Sequence, residues 1–451
     1  MRGFAAGLVL LMALGLAAVP AAAQTVPFGS ADDPREQIQD QWWRRESQFY
    51  AVGGLSLIAA QWRGAGTLGL DLVTRPLTAH LEGTLRAGVL GEYGPDLDES
   101  YDLLRLVSFA RYNPPQGGPL HLRAGLVDRM RLGTGHVVNF FSSSTAWDER
   151  TVGAEAAYFG RQLEVGGFTD NVLLDGVAGG RVGVRPLFFS DRLPLRTLQF
   201  GGAYVTDLAP RLPDGPPRLE AYNVDARFDL FSAGGFEFSP YLSYAWYRHA
   251  GRGIGFGADL GAEEFADVLS FRLRLGLFYN GEGFIPGYVG PFYTLHNRQA
   301  RIVDSGSDLG DPQATDFVGT LLDAGRGGND LWTELRVLVN RRFEFWYSFR
   351  RHNGTQRLSE LNLRLFLRRA DQLRFEVGID RGRLGGFFTI FNDMDDHSAL
   401  VFGTDYRLFG AAWLFLRSRY SYERIDPGDD HAQRFLVQRR FEPMTGLRIG
   451  F

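Results

Sequence analysis

Eight histidines, at positions 80, 121, 136, 249, 296, 352, 397 and 431, are the groups in this chain best suited to proton transfer near neutral pH. Hydrolytic chemistry would need one of them within reach of a hydroxyl. None has a Ser two residues away on either side, the spacing that puts two side chains on one face of a strand. Ser398 follows His397 directly, so those two point to opposite faces. Thr78, His80 and Glu82 do share a face, but a hydrogen-bond ladder explains that row more simply than a relay. His136 and Ser142 to Ser144, in "GTGHVVNFFSSS", are a pair that a loop could bring together. The group Asp393, Asp395, Asp396 and His397 in "NDMDDHS" offers oxygen ligands without the spacing of a Ca²⁺ loop. It reads as a solvated acidic loop. The Gly-rich "GRGIGFGADLG" opens no helix, so it is not a phosphate cradle. No enzyme activity, metal or cofactor is expected.

Arginine is the more informative residue type. All 48 basic residues are Arg, and the net charge of −4 is too small to argue for nucleic acid. Arg86, Arg123, Arg227, Arg272, Arg274, Arg364, Arg368 and Arg374 sit on polar faces, and Glu82, Asp225, Glu360 and Glu376 share them. The faces are visible because the pattern repeats every two residues. In "LTAHLEGTLRAGVL", Leu77, Leu81, Leu85 and Val89 fall opposite His80, Glu82 and Arg86. "EAYNVDARFDLF", "VLSFRLRLGLFYN", "SELNLRLFLRR" and "LRFEVGIDR" repeat the arrangement. This is the period of an extended strand with one apolar and one wet side.

What each side faces decides the architecture. Segments of about ten alternating residues, separated by Gly, Pro and Asp turns, mark a transmembrane β-barrel. They run from Phe49 to Phe451 without a break in composition, far beyond the roughly 100 residues of a soluble sandwich. No run of about 18 apolar residues suggests a spanning helix. The expected fold is therefore an all-β, antiparallel, up-and-down barrel of roughly 16–18 strands, its leucines on lipid. An Arg at mid-membrane on the lipid face would cost about 2–4 kcal/mol, so the twelve charged residues named above should line the interior. Their cross-strand pairs would stiffen the wall, and any surplus of Arg would favour anions. Tyr241, Tyr244, Trp246 and Tyr247, with Phe343, Phe345, Trp346 and Tyr347 and with Trp413, Phe415, Tyr420 and Tyr422, are expected at the lipid–water boundary.

Residues 1–23 read as a secretory signal, with Arg2, an apolar stretch from Gly7 to Val19 and a small-residue cleavage pattern ending at Ala23. Residues 24–47 form a periplasmic segment in which Asp33 and Pro34 could start a short helix to Arg45. Residues 48–451 form the barrel. The chain ends "TGLRIGF", with Thr445, Leu447, Ile449 and Phe451 on one face. This ending resembles the C-terminal insertion signal of Gram-negative outer-membrane barrels, and the mature chain resembles porin-like barrels in architecture. The resemblance implies export, recognition of the last strand by the barrel-assembly machinery, and residence among outer-membrane lipids. It also implies a water-filled channel for passive diffusion of small hydrophilic solutes. The alternative is a non-conducting barrel that serves as a scaffold or binds partners. The segment Arg301–Asp330, rich in Asp, is either a surface loop or one folded inward to narrow the channel.

Overall fold

The computed structural model describes residues 46–451 except 89–90, 94–95, 97–98, 113–117, 209–217, 234, 266–267, 297–300, 304–325, 341, 354–358, 370–371, 385–393, 395–396 and 426–433. The signal sequence, the Pro34–Arg45 helix, most of the Arg301–Asp330 segment and all three "NDMDDHS" carboxylates lie outside the described residues.

Among the described residues, twenty antiparallel strands form the closed wall of one sheet, to which the short strands Gly91–Glu92, Phe231–Ala233 and Arg301–Val303 add. The twenty begin with β1 (Gln48–Ile58), β2 (Gln61–Val73), β3 (Leu77–Gly88), β4 (Val107–Tyr112), β5 (Leu120–Gly125), β6 (Gly153–Phe159) and β7 (Leu163–Thr169). Next come β8 (Val177–Val184), β9 (Gln199–Asp207), β10 (Glu220–Arg227), β11 (Phe236–Tyr247), β12 (Arg252–Phe265), β13 (Leu269–Glu282) and β14 (Arg326–Val339). The wall ends with β15 (Phe343–Asn353), β16 (Ser359–Arg369), β17 (Leu373–Leu384), β18 (Ser398–Phe409), β19 (Ala412–Ile425) and β20 (Arg434–Gly450). Each strand pairs with its neighbour in sequence, and β1 pairs with β20 from Gln48↔Gly450 to Ile58↔Arg440. Closure leaves no unpaired edge, which a membrane requires because lipid cannot hydrogen-bond a bare backbone.

The strand number exceeds the expected 16–18, and the reason is composition. The strands that the leucine pattern does not reveal include β6 (GAEAAYF), β8 (VAGGRVGV) and β12 (RGIGFGADLGAEEF). Gly and Ala there carry too little apolar surface to display the alternation. The same residues allow close strand approach. A Cβ at Gly446, on the closing seam, would collide with the Ala51 carbonyl, and one at Gly54 would collide with that of Pro443.

The two faces separate as the period demands. Leu77, Leu81 and Leu85 are exposed on the outside, whereas Thr78, His80 and Arg86 are buried. On β20 the outward residues Leu447, Ile449 and Phe451 are 54%, 54% and 75% exposed. Both ends of the barrel domain lie on one rim because the strand number is even. The three longest connections, after β3, β5 and β13, all leave the opposite rim; the terminal rim carries shorter ones, of which 185–198 with its helix Leu193–Thr197 is the longest. Long loops on the side away from the termini are the usual arrangement in membrane barrels.

Gly446→Val should therefore prevent seam closure, an overpacking penalty of about 1–3 kcal/mol or more. Gly66→Val, where a Cβ meets nothing within 4 Å, should not. Electrophoretic mobility before and after heating measures the folded fraction of each variant.

Candidate functional site: the inward loop and its cleft

The barrel is not empty. The connection between β5 and β6, residues 126–152, leaves the long-loop rim and crosses the interior. Its side chains meet inward-facing residues on widely separated strands. Arg131 forks onto Glu334 of β14, with Nη2 2.6 Å and Nη1 3.2 Å from the carboxylate oxygens, and its Nε donates to Asn139 at 2.8 Å. Trp346 Nε1 donates to the same Glu334 at 3.0 Å, and the Trp332 ring lies 4.8 Å from the guanidinium carbon. Arg131 is fully buried. His136 meets Ser243 of β11 through Nδ1, at 2.9 Å. Asp128 lies 3.5 Å from Arg364 of β16, and Asp148 accepts from Arg440 of β20 at 2.7 Å.

An apolar cluster seals one side. Val127, Met130, Leu132, Val137, Val138 and Phe141 of the loop pack with Phe168, Val177, Val205, Ala221 and Ala245 of the wall. The first part of the connection after β13 joins them: Val289 bridges to Val138, and Thr145 Oγ1 donates to the Pro291 carbonyl at 2.5 Å. Among the described residues, the inward seats belong to 126–152 and to 283–295; most of Arg301–Asp330, expected as a surface loop or an inward fold, lies outside the described residues.

Of the twelve charged residues expected on the inner wall, Arg86, Arg123, Asp225, Arg272, Arg274, Arg364 and Arg368 are buried, and most of the twelve have a partner close by. Arg272 and Arg274 both grip Asp259 of β12 at 2.5 Å. Arg364 forks onto Asp380 of β17 at 2.9 Å, and Arg123 meets Glu155 at 3.2 Å. Asp225 accepts from Arg181 at 2.8 Å, Glu360 accepts from Arg350 at 2.8 Å, and Arg227 donates to Gln199 at 2.7 Å. Arg86 contacts Asp96 and Glu442, and Glu82 accepts from Tyr50. Arg368 is buried and faces Arg374 across the β16–β17 register, with Glu376 on the same wall. The expected cross-strand pairing is thus present, and it consumes most of the arginine charge.

Several aromatics expected at the membrane boundary are inside. Tyr241, Trp346, Trp413 and Phe415 are buried, with arginines stacked on their rings: Arg448 lies 4.4 Å from Trp413 and 4.8 Å from Phe415, and Arg336 lies 5.1 Å from Trp346. An aromatic ring holds a guanidinium by cation–π attraction as readily as it sits in a lipid interface. Residue type alone cannot separate these roles, whereas strand parity does. The pairing of His136 with Ser142–Ser144 is not formed, since Ser142 Oγ lies 3.1 Å from Ser144 Oγ and His136 faces Ser243. Among the described residues no group of three His, Asp or Glu is placed to hold a metal ion.

Between the loop and the β1–β3 and β19–β20 wall lies a cleft enclosing about 790 Å³ of atom-free space, part of it continuous with solvent. Trp147 and Arg150 of the loop face Arg417 and Arg419 of β19 across it, with Thr67 and Thr84 of the wall alongside. Burial lowers the Arg150 guanidinium to about 10, with neighbouring arginines adding to the shift; it remains a cation at neutral pH. Trp147, Arg150 and Arg419 had no sequence signal. Trp147 and Arg150 lie in a non-periodic loop, and Arg419 sits among residues that differ from it only in what they meet across the barrel.

Arg131→Ala leaves Glu334 buried without its main cation, a loss of about 3–5 kcal/mol in comparable sites. The loop should unseat, and backbone hydrogen exchange across residues 126–152 should be faster than in wild type. His136 supplies a pH dependence. Burial first, then the Arg350 charge, lower its pKa from 6.5 to about 3. A released loop would bind a proton that the seated loop excludes, so seating is strongest above pH 6.5 and weakens as pH falls toward 3. Hydrogen exchange across residues 126–152 should quicken on acidification in wild type, relative to the intrinsic rate at each pH, and respond less in His136→Gln.

No family model matches this chain, and no curated protein matches it in sequence. Among solved structures, it is similar to Wzi of Escherichia coli, described as an outer-membrane protein of group 1 capsule assembly and a carbohydrate-binding β-barrel. Identity is 9%, TM-score 0.33, with 90% of this chain and 85% of that one covered. For OccD3 of Pseudomonas aeruginosa the values are 9%, 0.30, 90% and 91%, and for a mutant of the Rhodopseudomonas blastica porin 9%, 0.25, 90% and 99%. At such TM-scores the likeness carries no argument about function. The closed pairing and the exposed apolar residues carry the fold: among the described residues the chain is a closed antiparallel β-barrel of twenty strands with an apolar outer face.

Proposed function

We propose that this protein is a constricted outer-membrane channel for small hydrophilic solutes, in which the cleft beside Trp147 is the passage that the inward loop leaves open. The observation that carries the reading is the contrast between the two sides of that loop. Toward β7–β11 it is sealed by an apolar cluster. Toward β1–β3 and β19–β20 it faces a cleft lined mainly by charged and hydroxyl-bearing side chains. A barrel closed for purely structural reasons would gain more by extending the apolar seal than by keeping charged groups around a void. Selection would then depend on width and on the charges of the cleft, with no chemical step.

Export through the signal in residues 1–23 and recognition of the last strand by the assembly machinery belong to the same proposal. The outward exposure of Leu447, Ile449 and Phe451 supports the second point.

One observation favours a non-conducting barrel. The Val138–Val289 bridge and the apolar cluster around it form a packed centre of the kind that fixes a plug. Proteoliposome swelling separates the readings. The channel reading expects uptake of small sugars that falls steeply with solute size. No swelling with any solute, from protein whose heat-shifted mobility shows it folded, would contradict it and leave the scaffold or partner-binding role.

A further inference from the structure

The lining of the cleft balances five arginines against five carboxylates, yet the ion pairs do not reach every arginine. Its carboxylates are matched: Glu442 and Asp96 are held by Arg86, Asp102 by Arg105 at 2.5 Å, Asp148 by Arg440, and Glu82 by the Tyr50 hydroxyl. Arg417 is spent on Asp405 at 2.6 Å. Two guanidiniums remain. Arg150 donates only to backbone carbonyls, those of Trp147 at 2.9 Å and Arg105 at 3.2 Å. Arg419 makes no hydrogen bond and no ion pair with any described residue, and its guanidinium carbon lies 3.4 Å from the centre of the Trp147 ring. Arg150 stands 4.5 Å from the same ring. Both are half-buried and line the cleft.

Two like charges on one indole repel each other, and partial burial strengthens the repulsion. The indole offsets part of this through cation–π attraction but supplies no hydrogen-bond acceptor to the Arg419 fork. A guanidinium presents planar, paired donors that match the two oxygens of a carboxylate. The geometry points to a binding site for the carboxylate of a small solute at Arg150, Arg419 and Trp147. This deepens the channel reading, on which it rests for the way a solute reaches the cleft. Arg419 engages the anion through its fork, Arg150 adds the second charge, and Trp147 keeps both side chains extended into the cleft. Thr67 and Thr84, whose hydroxyls lie 2.8 Å apart on the adjoining wall, offer hydrogen bonds to the rest of the solute.

The test is calorimetric titration of the full-length protein, purified from outer membranes in a non-ionic detergent at low ionic strength. The probes are succinate, its neutral analogue succinamide, and inorganic phosphate. Saturable succinate binding is expected, with succinamide silent. Arg419→Gln and Arg150→Gln should each weaken succinate binding by about tenfold or more, and Arg248→Gln, at the exposed pair with Glu220, should leave it unchanged. Absence of saturable succinate binding, equal binding of succinamide, or unchanged affinity in both cleft variants would overturn the proposal. Binding of phosphate without succinate would overturn the carboxylate assignment. Arg150 lies outside the wall, so Arg150→Gln keeps the test decisive should Arg419→Gln fail to show the folded mobility. Swelling with neutral sugars tests the channel separately: sugar uptake without succinate binding removes this site alone, and succinate binding without uptake removes the channel alone.

Discussion

The fork between Arg131 and Glu334 is the contact on which the interior depends. It joins the crossing loop to the wall opposite the strands from which the loop departs, and Arg131 is fully buried there. A buried ion pair is poor evidence of net stabilisation, since desolvation of both charges opposes their attraction. Its effect here is geometric. Asn139, Trp346 and the Trp332 ring complete the environment of the two charges, so other positions of the loop would strand one of them. With Arg131 fixed, Val138 meets Val289, His136 meets Ser243, and Trp147 is delivered to the cleft on the far side.

The wall follows the same logic on a larger scale. A twenty-strand barrel encloses far more interior than side chains alone can fill, and the lipid side admits no charge at depth. Arginine and carboxylate must therefore share the inner face, where the low dielectric makes them partners. Asp259 between Arg272 and Arg274, and Asp380 within the Arg364 fork, show how adjacent strands are stitched through their side chains as well as their backbones. Arg448, laid over Trp413 and Phe415 and bonded to Asp405, carries the same stitching across β18–β20 close to the closing seam.

Much of this was legible in the order of residues, and the limits are physical. Period-two alternation assigned inside and outside correctly from Leu77 and Arg86 through Leu447 and Arg448, because one misplaced Arg on lipid would be prohibitive. Strand number was underread where Gly and Ala replace leucine, as in β6 and β8, since small residues hide a period they still obey. The aromatics were ambiguous because a ring serves a lipid boundary and a guanidinium equally well. Trp346 and Trp413 went to the guanidinium. The role of 126–152 was beyond local reading altogether. "GTGHVVNFFSSS" shows an apolar loop with a His, but Glu334, Ser243 and Arg440, which seat that loop, lie about 100 to 300 positions away. Only closure of the barrel brings them together.

The central claim is that residues 126–152 lie inside the barrel against the wall, and the absence of cysteine from the chain allows a direct measurement. With His136→Cys and Ser243→Cys introduced together, a short thiol-specific linker applied to outer-membrane vesicles should join loop and β11 within one chain, detected by mass as a linked peptide pair. Reaction of both thiols with a monofunctional reagent, but no linked pair, would place the loop away from the wall and contradict the account.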